Sequence, residues 1–252
     1  MRLKNKIALV TGAATGIGAA VAKHFASEGA VTYATYHTKG KGRHQSSQEN
    51  GILEYVKMDV RDESSWLEVR KMIEARHGRL DVLVNNAGVV LDVDNVAATT
   101  LEQWNNTMAV NATGAFLGCH TMLELLKKSE AASIVNVVSS IVFKPDVLVA
   151  YASSKAAMWG LTRSIALYCS REKLPIRCNS VHPGGVETEM LRDFIEAAPD
   201  PAAVREFAVQ NQLIKRFAEP IEIARFIAYL ASDEASFVTG AAFPIDGGLS
   251  IN

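Results

Sequence analysis

The chain contains few cysteines, and their arrangement suits neither a disulfide nor a metal. Its 252 residues include three, Cys119, Cys169 and Cys178. They are odd in number, lie far apart and form no Cys-x-x-Cys or Cys/His ligand spacing. We therefore expect reduced thiols, no metal site and a cytoplasmic protein.

The sequence also lacks a strong net charge and a long apolar run. Its formal charge is −1 at pH 7, so no global field draws it toward nucleic acid or an anionic membrane. No stretch of about eighteen apolar residues occurs, and residues 1–6 lead into a strand-like segment rather than a signal peptide. We expect neither a nucleic-acid partner nor a membrane span.

Strand and helix patterns alternate along the remaining sequence. Short apolar runs such as residues 6–11 and 133–138 are each followed by a helical pattern, and residues 31–36 form a further apolar run. About seven such strands predict one doubly wound parallel sheet of the Rossmann type, with helices on both faces, in a single α/β domain spanning residues 1–252. Residues 186–217 break the alternation with short helical patches, and we interpret them as a lid over the substrate.

A glycine-rich turn follows the first strand. Residues 11–18 read Thr-Gly-Ala-Ala-Thr-Gly-Ile-Gly. Without side chains at Gly12, Gly16 and Gly18, backbone N–H groups can approach a pyrophosphate at the positive end of the next helix. The spacing differs from the G-x-G-x-x-G fingerprint but meets the same physical demands. We predict a dinucleotide here, with a turn that binds nothing as the alternative.

Acidic residues are absent from positions 31 to 48. Many dinucleotide-binding folds place an acid at the end of the second strand to hold the ribose hydroxyls of NAD, but this chain has Tyr36. The loop that follows is basic: His37, Lys39, Lys41, Arg43 and His44. Because a basic loop attracts a 2′-phosphate and a carboxylate repels it, the pattern favours NADP over NAD. A solvated loop without a ligand is the other interpretation.

Polar or small residues follow several other strands, where a ligand binds in this class of fold. Asp59, after the third strand, would bond an adenine or cap a turn. The small residues Asn86, Ala87 and Gly88, after the fourth, would let a cofactor lie close to the backbone. Ser139 follows the fifth strand in the same way.

Tyr151 and Lys155 form the most informative pair in the chain. If residues 151–170 are helical, the two are i,i+4 neighbours on one face. A positive charge a few ångströms away favours a phenolate and so lowers the pKa of a tyrosine. Such a tyrosine can exchange a proton with an alcohol or a carbonyl oxygen. An ordinary amphipathic helix is the simpler explanation of the pair when it is taken alone.

Taken together, these motifs resemble those of the short-chain dehydrogenase/reductase family over essentially the full length. The stretches that carry the resemblance are Thr11–Gly18 in the glycine-rich turn, Asn85-Asn86-Ala87-Gly88, Asn111, Ser139, Tyr151-x-x-x-Lys155, Pro183-Gly184 and Asp246-Gly247-Gly248. The resemblance implies an NAD(P)-dependent oxidoreductase that acts on a ketone or a secondary alcohol.

The family pattern also implies roles for individual residues. Tyr151 would be the catalytic acid/base, Lys155 would lower its pKa and hold the nicotinamide ribose, and Ser139 would bond the substrate oxygen. Asn111 would support a proton relay through water to Lys155. The cofactor would be held by Gly12, Thr15, Gly16, Ile17, Gly18, Tyr36, His37, Lys39, Asp59, Val60, Asn86, Ala87, Gly88, Tyr151, Lys155, Pro183, Gly184, Val186 and Thr188.

Two departures from the family pattern leave alternatives open. Many members separate the serine and tyrosine by thirteen positions, whereas Ser139 precedes Tyr151 by twelve. We prefer Ser139, with Ser140 as the alternative. Members that prefer NADP often carry Arg, Lys or Ser where Thr15 stands, which keeps NAD in consideration.

Residues 141–149 and 186–217 supply the expected substrate wall. Its apolar members are Val142, Phe143, Val147, Leu148, Met190, Leu191, Phe194 and Ile195. They favour an apolar, cyclic or hydroxysteroid-sized substrate. Ordinary core packing is the alternative explanation for all of them.

Two other functions compete with an NADP-dependent carbonyl reductase. One is an NAD-dependent alcohol dehydrogenase of a degradation pathway, and the other a dinucleotide sensor without catalysis, which would have no need of the Tyr/Lys pair. The helices predicted over residues 100–128 and 151–170 carry more apolar surface than one sheet face covers, and the family commonly forms tetramers through such helices. We therefore expect a homotetramer.

Overall fold

The computed structural model describes residues 1–37, 51–91 and 93–252. Seven strands form one parallel sheet in the order β3-β2-β1-β4-β5-β6-β7. They are β1 (Ile7–Val10), β2 (Val31–Tyr36), β3 (Ile52–Lys57), β4 (Val82–Asn85), β5 (Ala132–Val137), β6 (Ile176–Pro183) and β7 (Ala242–Ile245). The predicted fold class is confirmed. Lys39, Lys41, Arg43 and His44 of the basic loop lie outside the described residues.

Eight α-helices occur within the described ranges, and five of them pack on the two faces of this sheet. The eight are α1 (Gly16–Ser27), α2 (Glu63–His77), α3 (Leu101–Met108), α4 (Gly114–Leu126), α5 (Val149–Arg171), α6 (Glu189–Glu196), α7 (Pro201–Gln210) and α8 (Pro220–Ala231). Helices α1 and α8 share one apolar cluster with the sheet, whereas α2, α4 and α5 belong to a second cluster on its other face.

The central strands are buried on both faces, which explains their nearly continuous apolar sequences. All residues of β1, β4 and β5 are buried. Side chains on the two faces enter different clusters: Ala8 and Val10 of β1 pack with α1 and α8, and Leu9 packs with α2 and α4. Each strand is therefore held between two helical layers.

The order of the strands reverses direction between β1 and β4. From β1 the chain proceeds outward to β2 and β3, then returns to place β4 on the other side of β1. A crevice forms beyond the carboxyl ends of the strands at such a reversal. The turns after β1, β4 and β5 therefore meet at one place.

The helical pattern of residues 100–128 is interrupted in the structure. A π-helical turn over Ala109–Thr113 joins α3 to α4, and Asn111 lies at its centre, fully buried. Asparagine is a poor residue for a helix interior because its side chain competes for backbone hydrogen bonds. None of the helices in the described ranges is long and apolar enough to cross a bilayer.

Candidate active site

A cleft of about 660 Å³ opens at the carboxyl ends of the strands. Most of the predicted site residues line it: Gly12, Thr15, Gly16, Ile17, Tyr36, His37, Asp59, Val60, Asn86, Ala87, Gly88, Ser139, Tyr151, Lys155, Pro183, Gly184, Val186 and Thr188. Gly18 and Asn111 lie behind the wall rather than in it, and Lys39 lies outside the described residues.

The glycine-rich turn is packed tightly against the turn that follows β4. Gly12 has a φ of +62°, which a residue with a side chain rarely adopts, and a Cβ built on it would lie 2.7 Å from the Cα of Ala87. A Cβ on Gly18 would lie 2.4 Å from Nδ2 of Asn86. The amide of Asn86 donates to the carbonyls of Thr11, at 2.9 Å, and Gly12, at 3.1 Å. Gly18 therefore shapes the turn through packing.

Thr11 has a role in this junction that sequence reasoning missed. Its hydroxyl oxygen accepts hydrogen bonds from the backbone N–H groups of Asn86, at 2.9 Å, and Ala87, at 3.0 Å. The two cofactor turns are thus joined through one side chain. The sequence signal for this role was a hydroxyl residue directly after the apolar run of β1, and the structure shows that Thr11 is buried.

A charged network lies at the far end of the cleft, beyond β2 and β3. Asp59 accepts hydrogen bonds from the guanidinium of Arg61, and this pairing lowers the pKa of its carboxyl to about 2. His37 Nε2 lies 3.3 Å from the same carboxylate, and Arg61 also donates to Asn106 at 2.9 Å. Arg61 was not predicted. It balances the charge of Asp59 where the adenosine end of a dinucleotide would lie.

Tyr151 and Lys155 are brought together by α5, one turn apart. The Lys155 Nζ lies 5.7 Å from the centroid of the Tyr151 ring. This ammonium is buried beside β5, where it donates to the carbonyl of Val137 at 2.9 Å. Because burial disfavours the charged form, the pKa of Lys155 falls to about 8.

The pKa of Tyr151 corrects one expectation. We expected Lys155 to lower it, but burial raises the pKa of the phenol above its ordinary value, and the opposing contribution comes from a side-chain hydrogen bond with Ser139. Desolvation therefore outweighs the hydrogen bond with Ser139. The phenol is held in its protonated form at neutral pH.

Ser139 and Ser140 both line the cleft, but only the first is shown bonding to Tyr151. Ser139 begins a short 3₁₀ turn, and its hydroxyl accepts from the N–H of Ile141 at 3.2 Å. Nδ1 of the buried His182 lies 3.2 Å from the carbonyl oxygen of Ser139. The arrangement favours Ser139 over Ser140 as the serine that faces a substrate oxygen.

Asn111 holds the turn after β4 from behind. Its Oδ1 accepts from the N–H of Val89 at 2.8 Å, and its Nδ2 donates to the carbonyl of Val89 and to the Ser154 hydroxyl, both at 2.9 Å. A Cβ placed on Gly88 would lie 3.4 Å from Asn111 Oδ1 and 3.5 Å from Lys155 Nζ. The π-helical turn thus brings Asn111 close to Lys155, as such turns often do at functional sites.

Thr188 and Gly184 form the side of the cleft that faces the glycine-rich turn. The hydroxyl of Thr188 accepts from the N–H of Leu191 at 3.2 Å and so caps α6, while its methyl carbon would lie 3.2 Å from a Cβ on Gly16. Gly184 packs against Asp246, whose Cα would lie 2.8 Å from a Cβ there. The start of the predicted lid is therefore anchored beside the cofactor turn.

The predicted substrate wall is half wrong. Leu148, Met190, Leu191 and Phe194 line the cleft. Val142, Phe143, Val147 and Ile195 do not. Val142 packs on the cluster of Ala115, Val138 and Met158, Phe143 lies against the rings of Trp159 and His182, Val147 is 68% exposed and Ile195 is buried.

Sequence reasoning missed several members of the wall. They are Val89, Val90 and Leu249, whereas Ile141, Lys144 and Asp146 lie within the predicted segment 141–149. Leu249 comes from the last turn of the chain, so only the fold brings it to the cleft. The substrate end of the cleft is therefore mainly apolar with two charged groups.

The residues present fit a nicotinamide dinucleotide. A side chain on Gly12 or Gly18 would collide with neighbouring atoms and fill the space beside the turn. Thr35 lines the cleft, and its buried hydroxyl has no hydrogen-bond partner within the described ranges. A glycine cradle at the start of α1 is the arrangement that binds a pyrophosphate.

Comparison with known proteins agrees with this site. The family model described as enoyl-(acyl carrier protein) reductase matches residues 12–250. The ligand-free structure of Thermoplasma acidophilum aldohexose dehydrogenase superposes with a TM-score of 0.88 at 30% identity, covering 99% of this chain and 96% of that one. The chain belongs to the short-chain dehydrogenase/reductase family and is an NAD(P)-dependent oxidoreductase acting on CH–OH groups.

Two relatives match over nearly their whole length. The NADP-dependent (R)-specific alcohol dehydrogenase of Lentilactobacillus kefiri is 36% identical, covering 98% of this chain and 97% of the relative. The cyclopentanol dehydrogenase of Comamonas sp. (strain NCIMB 9872) is 35% identical, with coverages of 100% and 99%. The family resemblance read from the sequence is confirmed.

Proposed function

We propose that this protein uses NADP(H) to interconvert a ketone and a secondary alcohol, and that its substrate is apolar or cyclic. The observation that carries this proposal is the meeting of Ser139, Tyr151 and Lys155 beside the glycine cradle in one cleft. A dinucleotide sensor without catalysis would have no use for a phenol, a hydroxyl and an ammonium at this place.

The three side chains divide the proton chemistry among them. In reduction, Tyr151 donates its proton to the carbonyl oxygen as negative charge develops there, and the Ser139 hydroxyl donates a hydrogen bond to the same oxygen. With its pKa raised by burial, Tyr151 carries its proton at neutral pH. Lys155, with a pKa of about 8, is still mainly cationic at pH 7 and stabilises the phenolate that remains. A nicotinamide cofactor, when bound, supplies or accepts the hydride.

The choice of NADP rests on the end of β2. Tyr36 and His37 line the cleft where an NAD-binding fold of this type places a carboxylate. The carboxylate that lies nearby, Asp59, is paired with Arg61. The relative from Lentilactobacillus kefiri is named as NADP-dependent. NAD is the alternative, because Thr15 carries no positive charge.

The substrate class rests on the cleft wall. Leu148, Leu191 and Phe194 provide an apolar surface, and Lys144 and Asp146 add charge. The relative from Comamonas is named for a cyclic alcohol. A ring of cyclopentanone to hydroxysteroid size would bury its apolar body against this wall and present its oxygen to Tyr151.

A steady-state assay over a ketone panel tests the proposal. Cyclopentanone, a 3-ketosteroid, a small polar ketone and a β-ketoacyl thioester would each be offered with NADPH and with NADH. We expect the largest kcat/KM for the cyclic ketones with NADPH. A large preference for NADH would contradict the cofactor assignment, and turnover confined to the polar ketone or the thioester would contradict the substrate class.

We also propose that the protein assembles as a homotetramer through α4 and α5. Large apolar side chains on these helices point outward: Phe116 is 49% exposed, Leu167 is 53% exposed and Tyr168 is 44% exposed. A second copy of the chain, presenting the same helices, would cover them in a self-complementary interface.

A further inference from the structure

Helix α5 begins without a capping side chain of its own. The first N–H groups of a helix have no acceptor within the helix and need one from elsewhere. Leu148 occupies the N-cap position and has no side-chain oxygen, and no acidic residue lies in the first turn. The third residue of this helix is Tyr151, so its own backbone N–H is among the groups that need an acceptor.

Asp94 provides the missing acceptors from a distant part of the chain. Its Oδ1 accepts from the N–H of Ala150 and its Oδ2 from the N–H of Tyr151, both at 2.9 Å. The carboxylate is only 3% exposed. A negative charge at this place also interacts favourably with the positive end of the helix dipole.

The loop that carries Asp94 is itself held by hydrogen bonds. The Thr99 hydroxyl donates to Asp94 Oδ1 at 3.0 Å and accepts from the N–H of Asn95 at 3.1 Å. The next residue, Thr100, caps α3 with a hydrogen bond from the N–H of Gln103. Asp94 is therefore fixed relative to α3, and the start of α5 is fixed to Asp94.

We propose that Asp94 is a positioning residue for the reaction, fixing the first turn of α5 so that the Tyr151 phenol meets the substrate oxygen. This inference rests on the proposed role of Tyr151. The position of Lys155 depends less on Asp94, because its ammonium is anchored on the carbonyl of Val137 one turn further along. Loss of Asp94 should therefore displace the phenol more than the lysine.

Two substitutions at Asp94 test this proposal. Asp94→Asn keeps one acceptor oxygen, and Asp94→Leu keeps none at similar size. Since a displacement of about 1 Å can cost about a hundredfold in rate, we expect kcat to fall about tenfold in Asp94→Asn and about a hundredfold in Asp94→Leu. The dissociation constant for NADPH, measured by fluorescence titration, should stay within about threefold of wild type.

Asp81→Asn is the matched control. Asp81 is also buried and also accepts from a distant backbone N–H, that of Ile7 at 2.8 Å, and from a hydroxyl, that of Ser129 at 2.6 Å. It lies directly before β4, at the amino ends of the strands, whereas the cleft lies at their carboxyl ends. We expect Asp81→Asn to lower the Tm while leaving kcat per folded molecule unchanged.

Measurements of kcat are made well below the Tm of each variant. A folded Asp94→Asn variant with the wild-type kcat would overturn the proposal. The proposal would also be overturned if Asp94→Asn and Asp81→Asn lowered the Tm equally and Asp94→Asn lost no more kcat than Asp81→Asn did. Hydrogen exchange of the peptide covering residues 148–155 gives a readout that does not need turnover, and it should be faster in both Asp94 variants. Unchanged exchange would overturn the capping role, whereas a wild-type protein inactive on every ketone would overturn the proposed function instead.

Discussion

Burial is the main cause of the pKa shifts of the two central side chains. Lys155 loses its hydration shell beside β5, and its pKa falls to about 8. The same desolvation raises the pKa of Tyr151. Both groups therefore favour their neutral forms more than they would in water, while Lys155 stays mainly cationic at pH 7.

The shift of Lys155 predicts how stability depends on pH. An unfolded lysine has a pKa of about 10.4. Between pH 8 and that value the unfolded chain binds a proton that the folded protein has lost, so the free energy of unfolding rises with pH. Relative to Lys155→Met, the wild type should gain up to about 3 kcal/mol over this interval. Urea unfolding of both cofactor-free proteins from pH 7 to 10 measures this, and a pH-independent difference would contradict the shift.

The end of β2 supplies a second prediction at the same scale. Tyr36→Asp places a carboxylate where a 2′-phosphate would lie, and repulsion should lower kcat/KM with NADPH by about tenfold or more, since one such charge contact contributes on the order of 1.4 kcal/mol. Activity with NADH should rise or stay the same. Tyr36→Asn is the control, because it removes the ring without adding charge. Equal losses of kcat/KM with NADPH in both variants would contradict the electrostatic explanation, because loss of the Tyr36 ring alone would then account for the effect.

Some residues of the site could be predicted because their evidence is local. The i,i+4 spacing of Tyr151 and Lys155 is a property of one helix, and α5 presents both to the cleft. The direction of their pKa shifts could not be predicted, because it depends on β5 and on how deeply α5 is buried. Asp94 escaped prediction for the same reason, since it lies far from α5 in the sequence.

At the scale of elements, the turn between β1 and α1 has little room for change. A Cβ on Gly18 would meet Asn86 Nδ2 and the carbonyl oxygen of Gly12, both at 2.4 Å. Gly18→Ala should therefore separate the two cofactor turns and weaken NADPH binding by about tenfold or more, because pyrophosphate binding needs the backbone N–H groups in place. A fluorescence titration would measure the dissociation constant.

Gly160→Ala is the control for that substitution. Gly160 lies within α5, is exposed, and has open space where a Cβ would be. Alanine is favoured over glycine inside a helix by about 0.5–1 kcal/mol, so this variant should be slightly more stable and bind NADPH normally. Normal NADPH binding by Gly18→Ala would contradict the proposed cradle.

The predicted strands at residues 6–11, 31–36 and 133–138 agree with β1, β2 and β5 to within one residue at each end. Their limits could be predicted because buried parallel strands are nearly continuous apolar runs. The substrate wall was harder because residues 140–142 form a 3₁₀ turn. No simple periodicity tells which way such a turn directs Val142 and Phe143, and both point into the protein.

At the scale of the whole molecule, the sheet brings together residues that are distant in sequence. Three neighbouring strands, in the order β4-β5-β6, each carry a site residue at their carboxyl end: Asn86 follows β4, Ser139 follows β5 and Pro183 ends β6. This gathering could be predicted, since parallel strands with right-handed crossovers place all their carboxyl ends on one edge. The position of Leu249 could not, because it depends on the packing of the last turn of the chain.

The assembly is a prediction at this scale. If copies pair through α4 and α5, light scattering at micromolar concentration should give the mass of four chains. Replacing Phe116 and Leu167 by glutamate should give smaller species, because charge would be buried in the interface. A wild-type protein with the mass of one chain would contradict the assembly.

The central claim is that Tyr151 transfers the proton in an NADP-linked ketone reduction. The most direct test compares wild type and Tyr151→Phe at saturating NADPH and cyclopentanone, with NADPH binding measured in parallel. A positioned general acid contributes about a hundredfold to ten-thousandfold in rate, so turnover by Tyr151→Phe should fall by that factor while NADPH binding persists. Turnover near the wild-type rate would contradict the account.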